Sequence, residues 1–187
     1  MNLRTLPKSV EINGIECEFN SDFRDILDIF EAFNDPNLTK AEKLIVGLNL
    51  FYKTDDCLDD VDFATKYMMQ FLSMSDNEEP SGSAKESSKP LFDWQKDFSI
   101  IIAPINRILG YDVRSKDYVH WWTFLSAFME IGECTFNTYV GIRDKLNRGK
   151  KLEKYEEKIL KEHREDIILK KRVDDTTQSL LDEIMGV

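Results

Sequence analysis

Five aspartates between positions 55 and 62 form the densest group of side chains that could do chemistry: Asp55, Asp56, Asp59, Asp60 and Asp62. Carboxylate oxygens are the ligands that Ca²⁺ prefers in proteins. The run lacks the alternating spacing, the central glycine and the closing glutamate of a calcium-binding loop. We therefore predict a solvated loop that supplies the N-cap of the following helix, and no metal site.

Catalytic nucleophiles and bases are scarce. The histidines are His120 and His163, and the chain contains no HExxH, no GxSxG and no glycine-rich phosphate loop. Cys17, Cys57 and Cys134 are widely spaced and include no CxxC pair. Because the common hydrolases and transferases need an activated nucleophile or an open metal site, we predict a protein that is not an enzyme and binds no cofactor. The cysteines are expected to be reduced thiols.

The tripeptide His120-Trp121-Trp122 is the most distinctive in the chain. Adjacent residues of a helix point about 100° apart, so two neighbouring indoles do not share one face. The pattern predicts one indole in the core and the other at an edge or at a partner surface. His120 is expected to be a core residue whose ring is satisfied by hydrogen bonds.

A β-hairpin is predicted at the start of the chain. Asn13-Gly14 separates two short alternating runs, and both central residues of a type I′ turn need positive φ. A two-stranded hairpin is marginally stable alone, so we expect its apolar face to lie on the following helix.

Three helices are expected after the hairpin. The first should begin at Asn20 or Ser21, which can act as N-cap residues. Thr39 and Glu42 have the spacing of a capping box, which predicts the start of the second. The third should begin within the aspartate run.

Further helices are predicted nearer the C-terminus. Asp93 and Gly110 bracket one, as N-cap and C-cap residues. Ser115 and Thr135 are the expected N-caps of the next two. Alternating charge over residues 152–172, with a thin apolar stripe, predicts one long helix bordering solvent.

Residues 75–90 form the one clear predicted linker, because they are rich in serine, glutamate and proline and poor in apolar side chains. The linker separates an N-terminal part, residues 1–74, with the hairpin and three helices, from a C-terminal helical part, residues 91–187. We expect both parts to pack as one unit, because each carries more apolar residues than it could bury alone. The predicted fold class is mainly α, a bundle of about six to eight helices with a small N-terminal β-hairpin.

Composition narrows the classes of function. The 187 residues are 42% hydrophobic and 32% charged, which is typical of a soluble globular protein. No window approaches the roughly 18 apolar residues of a membrane span, and the chain lacks a secretory signal, so we expect the protein to stay in the cytoplasm. The net charge of -10 makes nucleic acid an unfavourable partner. Residues 143–175, with 12 basic and 9 acidic side chains, keep nucleic acid as a weaker alternative.

Several short segments carry a resemblance to a known family. They are, in chain order, Pro7-Lys-Ser-Val10 with Ile12 and Gly14, Asn20-Ser-Asp-Phe-Arg24, Glu42-Lys43-Leu44 with Leu50-Phe51-Tyr52, Phe92-Asp93, Gly110-Tyr-Asp112, His120-Trp-Trp122 with Phe124, and Gly141-Ile-Arg143. With these segments, most of residues 5–170 resembles a family of small proteins from tailed bacteriophages and prophages of Gram-positive bacteria, encoded beside the tape-measure gene. The sequence departs from the family pattern in the aspartate run and beyond about residue 172.

The resemblance implies a role in siphophage tail assembly. The implied function is a chaperone that binds the tape-measure protein in the bacterial host cytoplasm, with the tail-tube protein as a further partner. The alternative is a minor structural component retained in the virion, for which a homo-oligomer is expected. The candidate contact residues are one exposed indole, an apolar stripe and the tail: Trp121, Trp122, Tyr155, Ile159, Ile167, Ile168, Leu180, Leu181, Ile184 and Met185.

Overall fold

A computed structural model describes residues 4–75 and 90–169. The predicted linker, apart from its first and last residues, lies outside the described residues. So does the predicted apolar tail, with the candidate contact residues Leu180, Leu181, Ile184 and Met185.

The N-terminal hairpin consists of β1 (Ser9–Ile12) and β2 (Ile15–Glu18), paired antiparallel with Ile12 opposite Ile15. Asn13 and Gly14 have φ angles of 51° and 82°, as the predicted turn requires. Ile12 and Cys17 are buried. The prediction of a two-stranded hairpin with an Asn13-Gly14 turn is therefore confirmed.

Three helices follow the hairpin, with a short 3₁₀ helix (Asp55–Leu58) before the third: α1 (Phe23–Asn34), α2 (Lys40–Phe51) and α3 (Val61–Ser73). The Thr39–Glu42 capping box is present at α2, and Asp60 caps α3 through the backbone N–H of Phe63. Asp22 caps α1, so the expected cap at Asn20 or Ser21 is wrong by one or two residues.

The C-terminal part contains five helices within the described residues: α4 (Trp94–Leu109), α5 (Trp121–Met129), α6 (Thr135–Asn147), α7 (Lys154–Glu162) and α8 (Arg164–Ile167). Asp93 and Gly110 bracket α4 as predicted. His120, and not the predicted Ser115, caps α5. Ser115 is instead the last residue of a short 3₁₀ helix, Val113–Ser115. The prediction of a single long helix over 152–172 is wrong, because the helix is interrupted at His163, between α7 and α8.

One buried cluster contains side chains from the hairpin, from α1–α3 and from α4–α6. The ring of Phe23 in α1 stacks on that of Phe124 in α5, with centroids 4.6 Å apart. Phe30 lies two turns further along α1, and its ring contacts those of Trp94 and Trp121. Within residues 4–75 and 90–169 the fold is mainly helical, with eight α-helices and a two-stranded hairpin, so the predicted fold class is confirmed.

Cys17 of β2 and Cys57 of the first 3₁₀ helix are joined by a disulfide, with Cα atoms 5.6 Å apart. The expectation of three reduced thiols is therefore wrong for this pair. The reason is spatial: 40 positions separate the two cysteines in sequence, yet the hairpin lies against the 3₁₀ helix and both sulfurs are fully buried. Cys134 is the free cysteine.

Candidate functional site

The segment before α1 pairs with the segment before α5. Asp22 and His120 form an isolated antiparallel bridge, and the backbone N–H of Trp121 donates to the carbonyl of Ser21 at 2.7 Å. A carboxylate oxygen of Asp22 also accepts from the backbone N–H of Val119 at 2.7 Å. Two of the segments that carry the family resemblance are therefore neighbours in space, although about a hundred positions separate them.

Both indoles of the tripeptide are buried, Trp121 at 0% and Trp122 at 3% exposure. Their Nε1 atoms donate, each at 2.9 Å, to the carbonyls of Leu72 and Phe71 respectively. These carbonyls belong to the last turn of α3, where a helix leaves its acceptors without intrahelical donors. The prediction that one indole lies at an edge or at a partner surface is therefore wrong, because both are enclosed by the core and by the last turn of α3.

His120 is a core residue held by two hydrogen bonds, as the sequence indicated. Its Nδ1 accepts from the backbone N–H of Trp122 at 3.1 Å, and its Nε2 lies 2.9 Å from the carbonyl oxygen of Pro7. A carbonyl only accepts, so Nε2 carries the proton and the ring is neutral. Burial, and then the charge of Lys8, lower the pKa of His120, against the opposing effect of the bond to Pro7.

The predicted apolar stripe does not form one surface. Tyr155 and Ile168 are exposed at 59% and 42%, and Ile159 is half-buried. Ile167 is fully buried against Tyr139 and Ile142 of α6, so it has no free face to offer a partner.

A buried ion pair holds this C-terminal segment in place. Arg143 of α6 and Asp97 of α4 are 4% and 2% exposed and share two hydrogen bonds, at 2.7 Å and 2.9 Å. The guanidinium also donates to the carbonyls of Leu91, Asp166 and Ile167. All these acceptors surround one cation, which is how a buried charge is tolerated.

A groove of about 850 Å³ runs beside α1. One wall is α1 along its whole length, and the other is the first turn of α4. The apolar lining comes mainly from Phe23, Leu27, Phe30, Trp94 and Phe98. We refer to this feature as the α1 groove.

The positively charged side chains that line the α1 groove already have hydrogen-bond or ion-pair partners, whereas the negatively charged ones have few. Arg24 donates to Asp22 and to two carbonyls, Lys96 donates to the carbonyls of Glu165 and Ile168, and Arg114 forms an ion pair with Asp112. Asp28 is exposed, and within the described residues no hydrogen bond or ion pair holds it. Glu31 accepts one bond, from the side-chain amide of Gln95. Lys96 keeps its charge because its carbonyl acceptors are neutral, but Asp28 and Glu31 outnumber it, so the charge left available on the rim is negative.

Two polar atoms of the groove walls have no hydrogen-bond partner within residues 4–75 and 90–169: Nε1 of Trp94 and Oδ1 of Asn34. Both atoms are covered from water, and a buried polar group without a partner costs about 1–3 kcal/mol. The walls of the groove are therefore less completely satisfied than the last turn of α3, where two indole donors meet two carbonyls.

Sequence reasoning assigned the apolar residues of α1 to the core and missed the groove. The sequence does contain a signal: Leu27 follows Ile26 directly, about 100° further around the helix. Ile26 is fully buried whereas Leu27 is half-buried and lines the groove. The apolar stripe of α1 is thus wider than its packing partners cover.

The part of the chain that the structure describes contains neither a cluster of metal ligands nor a helix that could span a membrane. No three side chains of histidine, cysteine, aspartate or glutamate come together there in a way that could hold a metal ion, the aspartate run included. Each described helix is too short or too polar to cross a membrane.

Comparison with known proteins identifies a family. A family model described as bacteriophage Gp15 protein matches residues 3–169. No curated protein and no solved structure matches the chain. The matched range covers every described element, from the hairpin to α8, and all the segments that carry the family resemblance. The chain belongs to the bacteriophage Gp15 protein family.

Proposed function

We propose that this phage protein is a tail-assembly chaperone. It covers apolar segments of the tape-measure protein of a siphophage or prophage of Gram-positive bacteria while tail-tube subunits are recruited. It acts in the host cytoplasm, by binding and without catalysis.

The α1 groove is the observation that supports this proposal. A chaperone for a long helical client needs an exposed apolar surface, and large exposed apolar patches on soluble proteins mark sites of protein interaction. The groove has a floor of buried aromatic side chains, Phe23, Phe30 and Trp94, and Leu27 and Phe98 keep apolar surface exposed beside it. Tyr155 and Ile168 are further exposed apolar side chains on the C-terminal segment.

The test is co-expression of the full chain with the tape-measure protein of the same genome. The complex is purified through a tag on this chain, and its mass is measured by light scattering on a sizing column. We expect a soluble complex that does not form when this chain is omitted. Leu27→Asp should reduce recovery of the tape-measure protein, because it places a charge in the apolar lining.

Ile45→Asp is the matched control, since Ile45 is an exposed aliphatic residue, at 58%, that lies outside the groove. Circular dichroism establishes that both variants are folded, and Leu27→Asn replaces Leu27→Asp if the charge unfolds the chain. An insoluble tape-measure protein in every sample contradicts the proposal. If mass spectrometry then finds this chain in purified virions, the structural tail component is the better function.

A further inference from the structure

We propose that the α1 groove binds a single amphipathic α-helix whose apolar stripe is flanked by lysine and arginine. This assignment rests on the proposed function, because it takes the groove to be the surface that receives the partner. It adds the conformation and the charge of the segment that is bound.

The length of the groove supports a helical occupant. α1 has 12 residues, and at 1.5 Å per residue it is about 18 Å long. The lining includes Phe23, Leu27, Phe30 and Asn34, which recur at three- and four-residue intervals from the first turn of α1 to the last. A helix laid beside α1 presents side chains at the same intervals, which is the usual geometry of a helix bound in a groove.

The lining supports an apolar contact stripe. Trp94 and Phe98 lie about one turn apart on α4 and line the groove together with Leu27 and Phe30. Phe30 and Trp94 are 0% and 3% exposed and contact each other, so they form its floor. Leu27 and Phe98 are both half-buried, so each keeps apolar surface that a partner could cover. Covering such surface contributes about 25 cal/mol per Å².

The rim supports basic flanks on the occupant. The three cations of the lining, Arg24, Lys96 and Arg114, are already bound by acceptors of this chain. Asp28 and Glu31 stand one turn apart on the open side of α1. Burial raises the pKa of Asp25, and the charges of Asp22 and Asp28 raise it further against the opposing charges of Arg24 and Lys53, so Asp28 adds to a negative potential along α1. A lysine or arginine of the occupant can pair with Asp28 or Glu31.

The probes are three synthetic peptides of about 18 residues, long enough to form a helix in isolation. Two share one leucine stripe on an alanine background, flanked by lysines in the first and by glutamates in the second. The third contains the residues of the first in scrambled order. Binding to the full chain is measured by fluorescence anisotropy. We expect the lysine-flanked peptide to bind at least about tenfold more tightly than either of the others.

Charge reversal at the rim sharpens the test. The double variant Asp28→Lys, Glu31→Lys should reverse the preference between the lysine- and glutamate-flanked peptides. The double variant Asp55→Lys, Asp56→Lys makes the same change in net charge outside the groove and should leave the preference as it is. Equal binding of all three peptides, or an unchanged preference in the rim variant, overturns the proposal.

Two further outcomes also overturn it. If Leu27→Asp turns an oligomer of this chain alone into a monomer, the occupant is a second copy. If cross-links join the groove to residues 170–187 of the same molecule, the occupant is the chain itself.

The failure of this inference is distinct from that of the proposed function. If the rim variants still recover the tape-measure protein, the chaperone function is supported but the protein does not use this groove for it. If the groove binds the peptide but the chain does not recover the tape-measure protein, the groove assignment is supported and the chaperone function is not.

Discussion

His120 combines three contacts in one side chain. Its Nδ1 caps α5, its Nε2–H holds the carbonyl of Pro7 before the hairpin, and its ring lies edge-on to those of Phe71 and Trp122. Only the neutral ring can accept at Nδ1 while donating at Nε2. A proton at Nδ1 would replace the accepted bond with two facing N–H groups, so the contacts of this residue depend on its charge.

The stability of the protein should therefore fall as the pH is lowered below 6.5, the ordinary pKa of histidine. Burial lowers the pKa of His120 in the folded chain, so the unfolded chain takes up the proton more readily. The contribution of neutral His120 to the free energy of unfolding is complete above the pKa that His120 has in the unfolded chain. It is lost as the pH falls toward the lower pKa of His120 in the folded chain. Urea unfolding between about pH 7.5 and about pH 5.5 measures it.

The matched variant is His120→Asn, which can cap a helix but does not titrate. It should be less stable than the natural chain at the upper end of that pH range and should show a smaller loss toward the lower end. Parallel pH profiles for the two chains would show that His120 does not cause the dependence.

At the scale of elements, the contact between α1 and α2 depends on Gly47. A Cβ atom at this position would lie 2.6 Å from Cε1 of Phe33 and 2.9 Å from its Cζ. Phe33 is 5% exposed, so its ring has little room to move. The close approach of the two helices therefore needs glycine in the middle of α2, despite the unfavourable helix propensity of glycine.

Two glycine-to-alanine variants should change stability in opposite directions. Gly47→Ala should lower the free energy of unfolding by about 1–3 kcal/mol, because overpacking outweighs the gain in helix propensity. Gly141→Ala in α6 should raise it by about 0.5–1 kcal/mol, since among the described residues no heavy atom lies within 4 Å of the added carbon. Thermal melts of both variants check the signs, and a stabilised Gly47→Ala would show that Phe33 yields.

The boundaries of elements were predictable where a local signal sets them. The Asn13-Gly14 turn, the Thr39–Glu42 capping box and the Asp93 cap each depend on residues within four positions of one another, and each is present. The start of α5 was not predictable in this way. Its cap is His120, a residue seldom found there, and the segment before it is held by pairing with Ser21 and Asp22, about a hundred positions away.

The candidate site was less predictable, because a groove is a property of two helices that sequence does not place side by side. α1 and α4 are separated by about 60 positions, and their contact decides that Leu27 is half-buried while Ile26 is enclosed. The same limit explains the error over the second indole of Trp121-Trp122. Both indoles donate to carbonyls of the last turn of α3, so neither is left at the surface.

At the scale of the whole molecule, the Cys17–Cys57 disulfide ties the hairpin to the segment before α3. Closing a loop across 40 positions is worth about 4 kcal/mol in the chain-entropy model. The double variant Cys17→Ser, Cys57→Ser should therefore unfold at a lower urea concentration than the oxidised chain. Reduction with dithiothreitol in the unfolded state, followed by refolding, should bring the natural chain close to the variant. Coincident curves for the oxidised chain and the variant would contradict the prediction.

The buried ion pair between Arg143 and Asp97 has a consequence for the order of events during synthesis. Arg143 emerges from the ribosome 46 positions after Asp97 and 24 positions before Ile167, whose carbonyl it also needs. At the usual elongation rates, this last interval takes about one to five seconds. The cation is therefore made before all its acceptors exist, so the packing of α6 on α4 is completed only when the segment around Ile167 arrives. Leu169, which lines the α1 groove, is made two positions after Ile167, so the lining of the groove is completed at the same late stage of synthesis.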